Sequence, residues 1–120
     1  MELNNMNMKV FNELSDIKEV EIMPGLHAKI LHSKNQTIVF WRIEEGADLP
    51  AHSHPHEQIS IINSGDFKLR IGNKERVLST GSIAIIPSNV EHEAKALTYC
   101  EITDVFNPCR EDLKYSENEG

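Results

Sequence analysis

The chain has 120 residues, which suits one domain built around a single hydrophobic core. Its composition, 39% hydrophobic and 26% charged, is typical of globular domains. The net charge of -7 argues against a nucleic-acid backbone or an anionic membrane as partner, whereas an anionic substrate needs a local cation, a metal ion or an arginine.

The sequence predicts neither a membrane span nor a signal peptide. Its apolar runs are too short to span a bilayer, and its first ten residues have neither the basic start nor the apolar stretch of a signal peptide. We therefore expect a cytoplasmic protein. In that reducing compartment, Cys100 and Cys109 are expected to be free thiols.

Short β-type runs separated by turn residues fill most of the sequence and predict an all-β fold. In chain order, the predicted strands are 27–32, 36–44, 58–63, 66–72, 75–79, 82–87 and 98–106. Turns are expected at 23–25 and at Gly72-Asn73, and the apolar run 83–86 is expected to be covered on both faces. Six to nine strands at this spacing predict a small β-barrel or jelly roll. It would be a single domain, 1–120, with flexible ends at 1–10 and 116–120.

The stretch HSHPHEQ, residues 52–58, contains three of the six histidines. Strand alternation points His52, His54 and Gln58 to one side, provided that Pro55 does not break it. Imidazoles gathered on one face repel each other when charged and are costly to desolvate when neutral. A divalent metal ion relieves both problems, so the stretch predicts a metal site.

Glycines frame this stretch at fixed distances. Residues 46–65 read G-x5-H-x-H-x3-Q-x6-G, and residues 81–92 read G-x5-P-x-N-x2-H. These two motifs, in this order, resemble the cupin superfamily, and the resemblance covers roughly residues 36–106. It implies a cupin-type β-barrel that binds one divalent transition metal ion, Ni, Zn, Fe or Mn. The implied ligands are His52, His54, Gln58 and His92.

Gln58 stands where the general cupin pattern has a glutamate. An amide leaves the ligand set neutral, so that the bound ion keeps its full charge and favours an anionic substrate. His56, just past Pro55, is expected at the mouth of the site and not among the ligands.

Asp104 breaks the pattern of the strand 98–106. Alternation places it on the apolar face with Ile102 and Phe106, where a carboxylate is costly unless it meets a charge or a wet pocket. A metal pocket offers both, so Asp104 is a candidate proton-transfer residue. The alternative is an aspartate at a strand end near solvent.

Arg110 follows in the segment NPCRED, residues 107–112. An arginine beside the metal would hold a carboxylate substrate with two parallel hydrogen bonds. The alternative is a surface arginine paired with Glu111 or Asp112.

Three segments together resemble a narrower group of cupins, the KdgF proteins of pectin degradation. They are HSHPHEQIS, IPSNVEHEA and DVFNPCREDL. The resemblance implies linearisation of 4,5-unsaturated monouronates, released from pectin or alginate by lyases, to 5-keto-4-deoxyuronate. It places the acid/base on Asp104 and the substrate contacts on Phe106 and Arg110. The surroundings of His92 depart from the group at Glu91, Glu93 and Ala94.

Two other functions fit the same motifs. One is a different cupin enzyme, a dioxygenase or a sugar isomerase, and the other is a non-catalytic cupin that binds a sugar acid or a metal. In each case the expected partner is a small molecule, a sugar acid for the linearase, and not a nucleic acid or a membrane. A homodimer formed through sheet edges is also expected.

Overall fold

The computed structural model describes residues 9–114. After a 3-10 helix, Leu14–Asp16, the chain forms ten strands. They are β1 Glu19–Met23, β2 Leu26–His32, β3 Thr37–Ile43, β4 Asp48–His52, β5 Glu57–Ser64, β6 Phe67–Ile71, β7 Lys74–Leu78, β8 Ile83–Ile86, β9 His92–Ala96 and β10 Cys100–Asn107. No helix in this part of the chain has the length and hydropathy needed to cross a membrane.

The strands form two antiparallel sheets, which confirms the predicted all-β fold. The larger sheet has the order β1-β2-β3-β10-β5-β8, and the smaller has the order β4-β9-β6-β7. A hydrophobic cluster joins them, with Ile62 and Ile102 from the larger sheet and Phe67 and Leu69 from the smaller. A second cluster is formed by residues of β2, β3 and β10 together with Leu113. The predicted flexible ends, 1–10 and 116–120, lie almost entirely outside the described residues.

All seven predicted strands are present, but the expected number of strands is wrong. The additional strands are β1, β4 and β9. Their sequences, EVEIM, DLPAH and HEAKA, contain few of the β-branched and aromatic residues that mark a strand. Pairing with neighbouring strands holds them extended, for example β9 between β4 and β6.

The expectation that residues 83–86 are covered on both faces is wrong. Strand β8 packs on the core through one face only, that of Ala84 and Ile86, and within residues 9–114 no layer covers its other face. Ile83 and Ile85 are 64% and 63% exposed, and Ile59, the cross-strand partner of Ile85, is exposed as well. This apolar edge is compatible with the predicted homodimer, which stays a prediction.

Gly65 is the last residue of the first glycine-framed motif. It lies in the turn between β5 and β6, close to the backbone at the start of β10. Its φ of +95° lies in the left-handed region that favours glycine. A Cβ at this position would overlap the Tyr99 carbonyl oxygen and lie 2.8 Å from Cys100 Sγ. Gly81 has a similar φ of +91°, but a Cβ there would meet nothing within 4 Å.

We predict that Gly65→Ala destabilises the fold more than Gly81→Ala. Both substitutions put alanine at positive φ, at a cost of about 1–2 kcal/mol. Only Gly65→Ala adds an overlap with the start of β10, which should cost about a further 1–3 kcal/mol. Urea denaturation of both variants measures the difference, and equal losses of unfolding free energy would contradict the close approach.

Candidate metal centre

Three histidines meet where the smaller sheet adjoins the loop after β4. His52 ends β4 and His92 begins β9, and the two are direct cross-strand partners. The centroid of the His92 ring lies 4.2 Å from that of His52 and 5.0 Å from that of His54. One ring nitrogen from each histidine lies within 4.8 Å of the others, close enough to share one metal ion.

The simple alternation proposed for His52, His54 and Gln58 is wrong, because residues 53–56 leave the strand. His54 lies in this loop, whereas Gln58 is the second residue of β5. Pro55 has no N–H to contribute to a ladder, and the His54 carbonyl instead accepts a hydrogen bond from the Asn89 N–H at 2.8 Å. The loop still brings His54 to the other two histidines.

Backbone carbonyls fix the tautomer of all three rings. The Nδ1 atoms of His52, His54 and His92 lie 2.9–3.0 Å from the carbonyl oxygens of Pro50, His56 and Val90, respectively. A carbonyl oxygen can only accept, so each Nδ1 carries a hydrogen. Each neutral ring therefore keeps an unprotonated Nε2, the form in which histidine binds metals.

Burial keeps two of the rings neutral. It lowers the pKa of His54 to about 4, with a smaller contribution from the charge of Arg110. Burial also lowers the pKa of His92, which is 1% exposed. At neutral pH these imidazoles do not carry the proton that would compete with a metal ion.

Gln58 is oriented by a chain of hydrogen bonds beneath the histidines. The Ser60 hydroxyl donates its single proton to Asp104 Oδ1 at 2.6 Å, so its oxygen must accept from Gln58 Nε2, 3.0 Å away. This fixes the amide and turns Gln58 Oε1 toward His54 Nε2, at 3.2 Å. Two acceptors therefore face each other.

These atoms fit a divalent cation. Facing lone pairs repel unless a positive charge lies between them, and within residues 9–114 the buried His92 Nε2 has no hydrogen-bond partner. Three imidazole nitrogens and one amide oxygen are suitable donors for a first-row transition metal. The structure therefore supports a metal site at His52, His54 and His92, with Gln58 as a further candidate ligand.

Asp104 lies in the interior and not at a strand end near solvent. It is 7% exposed, and its second oxygen accepts a hydrogen bond from Trp41 Nε1 at 2.9 Å. Burial raises its pKa to about 6, against the lowering effect of the hydrogen bonds from Ser60 and Trp41. Ser60 and Trp41 were missed in the sequence, although Ser60 is two residues after Gln58 on the same inward face.

Phe106 and Arg110 lie next to the histidines. The Phe106 ring is 5.7 Å from the His54 ring, and Arg110 Cζ is 4.7 Å from the Phe106 centroid. Carboxylate binding by Arg110 stays a prediction, and the alternative holds in part: Arg110 pairs with Asp112, but its side chain is only 14% exposed. Its charge lowers the pKa of His54, His92 and Asp104, which places it within electrostatic reach of the centre.

Two other residues around the centre have identifiable roles. His56 is partly buried at 5.4 Å from the His54 ring, and its carbonyl, not its ring, orients His54. Arg70 donates to Glu93 at 2.8 Å and to Glu91 at 2.9 Å. The two glutamates that depart from the resemblance thus pair with one arginine and flank His92.

A second group of possible ligands lies elsewhere, at Glu21, His27 and Glu44. The His27 Nε2 is 2.6 Å from a Glu44 oxygen, and Glu21 accepts from the Gly25 N–H. Both glutamates are exposed and already have partners, so this group is explained as a surface ion pair.

Comparison with known proteins identifies the family. No curated protein matches the chain in sequence. Among solved structures, a KdgF from Halomonas sp. is 28% identical, with a TM-score of 0.82, over 88% of this chain and 99% of that one. An RmlC-like cupin from Shewanella frigidimarina is 27% identical, with a TM-score of 0.84, over 88% and 96% of the two chains.

More distant structures share the fold alone. Oxalate decarboxylase from Bacillus subtilis is 20% identical, with a TM-score of 0.72, over 79% of this chain and 28% of that one. The sequence profile of the cupin domain matches residues 39–106, more than half of the chain. The chain therefore belongs to the cupin family.

Proposed function

We propose that the protein is a metal-dependent enzyme that linearises 4,5-unsaturated monouronates to 5-keto-4-deoxyuronate. The observation that carries the proposal is the position of Arg110. Its guanidinium lies over the Phe106 ring, which is next to the His54 ring of the histidine cluster, and one of its edges is free of Asp112, so a small anion could be bound there. The similarity to a KdgF protein across 88% of the chain supports the same conclusion.

The chemistry of this pocket suits the substrate class that the resemblance implies. An unsaturated uronate is a cyclic enol ether conjugated to a carboxylate, with one apolar ring face. Arg110 would bind the carboxylate and Phe106 would pack against the ring face. A divalent ion bound by His52, His54, His92 and Gln58 would supply Lewis-acid polarisation of the substrate oxygens.

The reaction needs one proton-transfer group. Protonation at C4 and addition of water at C5 give a hemiketal, whose ring C5–O bond then breaks to leave a ketone. The hydrated C1 loses water to become an aldehyde, so substrate and product are isomers. Asp104, whose pKa is raised to about 6, would first bind a proton, pass it to C4 through Ser60 or a water, and regain a proton from the water that adds at C5. A cavity of about 40 Å³ lined in part by Asp104, Ser60 and Gln58 has room for that bridging water.

The metal ion is tested first. We expect elemental analysis to find close to one transition-metal ion per chain in protein purified without chelators. The double substitution His52→Ala and His54→Ala removes two ring nitrogens and should abolish the bound metal. His27→Ala, which changes a histidine of the surface ion pair, is the matched control and should leave the metal content unchanged. Absence of metal in the unmodified protein would contradict the site.

Asp104 is tested by substitution at constant metal content. Asp104→Ala should lower kcat by about 100- to 10,000-fold, the usual contribution of a general acid-base group. Loss of ultraviolet absorbance by the conjugated double bond measures the rate, corrected for spontaneous opening without enzyme. Glu101→Gln, on the outward face of the same strand, is the control with an expected wild-type rate. Unchanged turnover in Asp104→Ala would rule out this role.

Arg110 is tested by separating binding from chemistry. Arg110→Lys keeps the positive charge but loses the planar fork, and Arg110→Ala loses both. We expect KM to rise in both variants, more in Arg110→Ala, with a smaller effect on kcat. Steady-state kinetics on the unsaturated uronate provide both constants. A fall in kcat at constant KM would show that Arg110 does not serve mainly to bind the carboxylate.

A further inference from the structure

Arg110 is held in place by its own segment of the chain. Its Nε donates to Asp112 Oδ1 at 3.0 Å, and its Nη2 donates to Asp112 Oδ2 at 2.8 Å. Its backbone N–H donates to the buried Thr37 Oγ1 at 2.9 Å, and the Phe106 ring lies against the guanidinium. Residues 111–114 form a single helical turn that brings Asp112 back to Arg110. The guanidinium therefore has a defined orientation.

The pairing with Asp112 uses only one edge of the guanidinium. The Nε–H and one N–H of Nη2 are occupied, and within residues 9–114 Nη1 makes no hydrogen bond. The edge formed by Nη1 and Nη2 can thus still bind a carboxylate with two parallel hydrogen bonds. The side chain is only 14% exposed, and its guanidinium lies over the Phe106 ring, whose other neighbour is the His54 ring, so the guanidinium lies beside the histidines and not on the open surface.

We propose that Asp112 is a positioning residue for substrate binding, which fixes one edge of Arg110 so that the other edge receives the substrate carboxylate. The identity of that carboxylate, a sugar acid, rests on the proposed function. Because Asp112 is 59% exposed, its pair with Arg110 contributes little to the stability of the fold.

A double-mutant cycle tests whether Asp112 acts through Arg110. The four proteins are the unmodified chain, Asp112→Ala, Arg110→Ala and the double variant, all loaded with metal. The probe is D-galacturonate, a saturated uronate that cannot be linearised, and its Kd is measured by titration calorimetry. Asp112→Ala should weaken binding by about 10- to 100-fold when Arg110 is present. In the Arg110→Ala background the same substitution should have almost no effect.

Three further measurements separate positioning from a structural role. Asp112→Asn keeps one acceptor oxygen and should lose less affinity than Asp112→Ala. Glu111→Ala, next to Asp112 but paired with Lys114, should bind D-galacturonate as the unmodified chain does. Metal content and thermal stability should be the same in the four proteins of the cycle.

The inference is overturned if Asp112→Ala weakens binding equally in both backgrounds, or if it has no effect on binding by the unmodified chain. Failure of the unmodified, metal-loaded chain to bind D-galacturonate would overturn it as well. The cycle measures binding and not turnover. A protein that passes the cycle but never exceeds the spontaneous rate with unsaturated uronates would therefore contradict the proposed function alone.

Discussion

The hydroxyl proton of Ser60 sets the chemistry of the candidate metal centre. It is donated to the buried Asp104, which leaves the Ser60 oxygen as the acceptor for the Gln58 amide and turns the Gln58 carbonyl toward His54. A glutamine is otherwise free to present either end of its amide. The Asp104 carboxylate thus orients the Gln58 amide through Ser60, without being a candidate ligand itself. The set stays neutral, so a bound divalent ion keeps its attraction for an anion.

The two sheets make this chain of contacts possible. Strands β5 and β10 are neighbours, so Ser60 faces Asp104 and Gln58 faces Phe106 across the same ladder. The smaller sheet brings His92 opposite His52, and the loop of residues 53–56 adds His54. The last described segment folds back to place Arg110 against Phe106. The side chains of the candidate site therefore come from different strands and loops, which the packing of the two sheets brings together.

Much of this could be predicted from the sequence, and the failures have physical causes. Strands such as 66–72 alternate apolar and polar residues and were found. Strands β4 and β9 were missed because, besides a histidine each, they offer only Leu49 or two alanines to the core. Alternation placed Asp104 in the interior, but no pattern shows that Ser60 and Trp41 donate to it, because these contacts join strands distant in the chain. The open face of β8 depends on the smaller sheet packing against only one face of the larger sheet, which the local sequence does not encode.

A crystal structure of the metal-loaded chain, with the ion located by its anomalous scattering, tests the central claim most directly. The predicted result is one ion, bound by the Nε2 atoms of His52, His54 and His92 and by Gln58 Oε1, at about 2.0–2.2 Å. The Gln58 amide nitrogen should still point to Ser60. An ion bound through Nδ1, or a Gln58 amide turned away from the ion, would contradict the account.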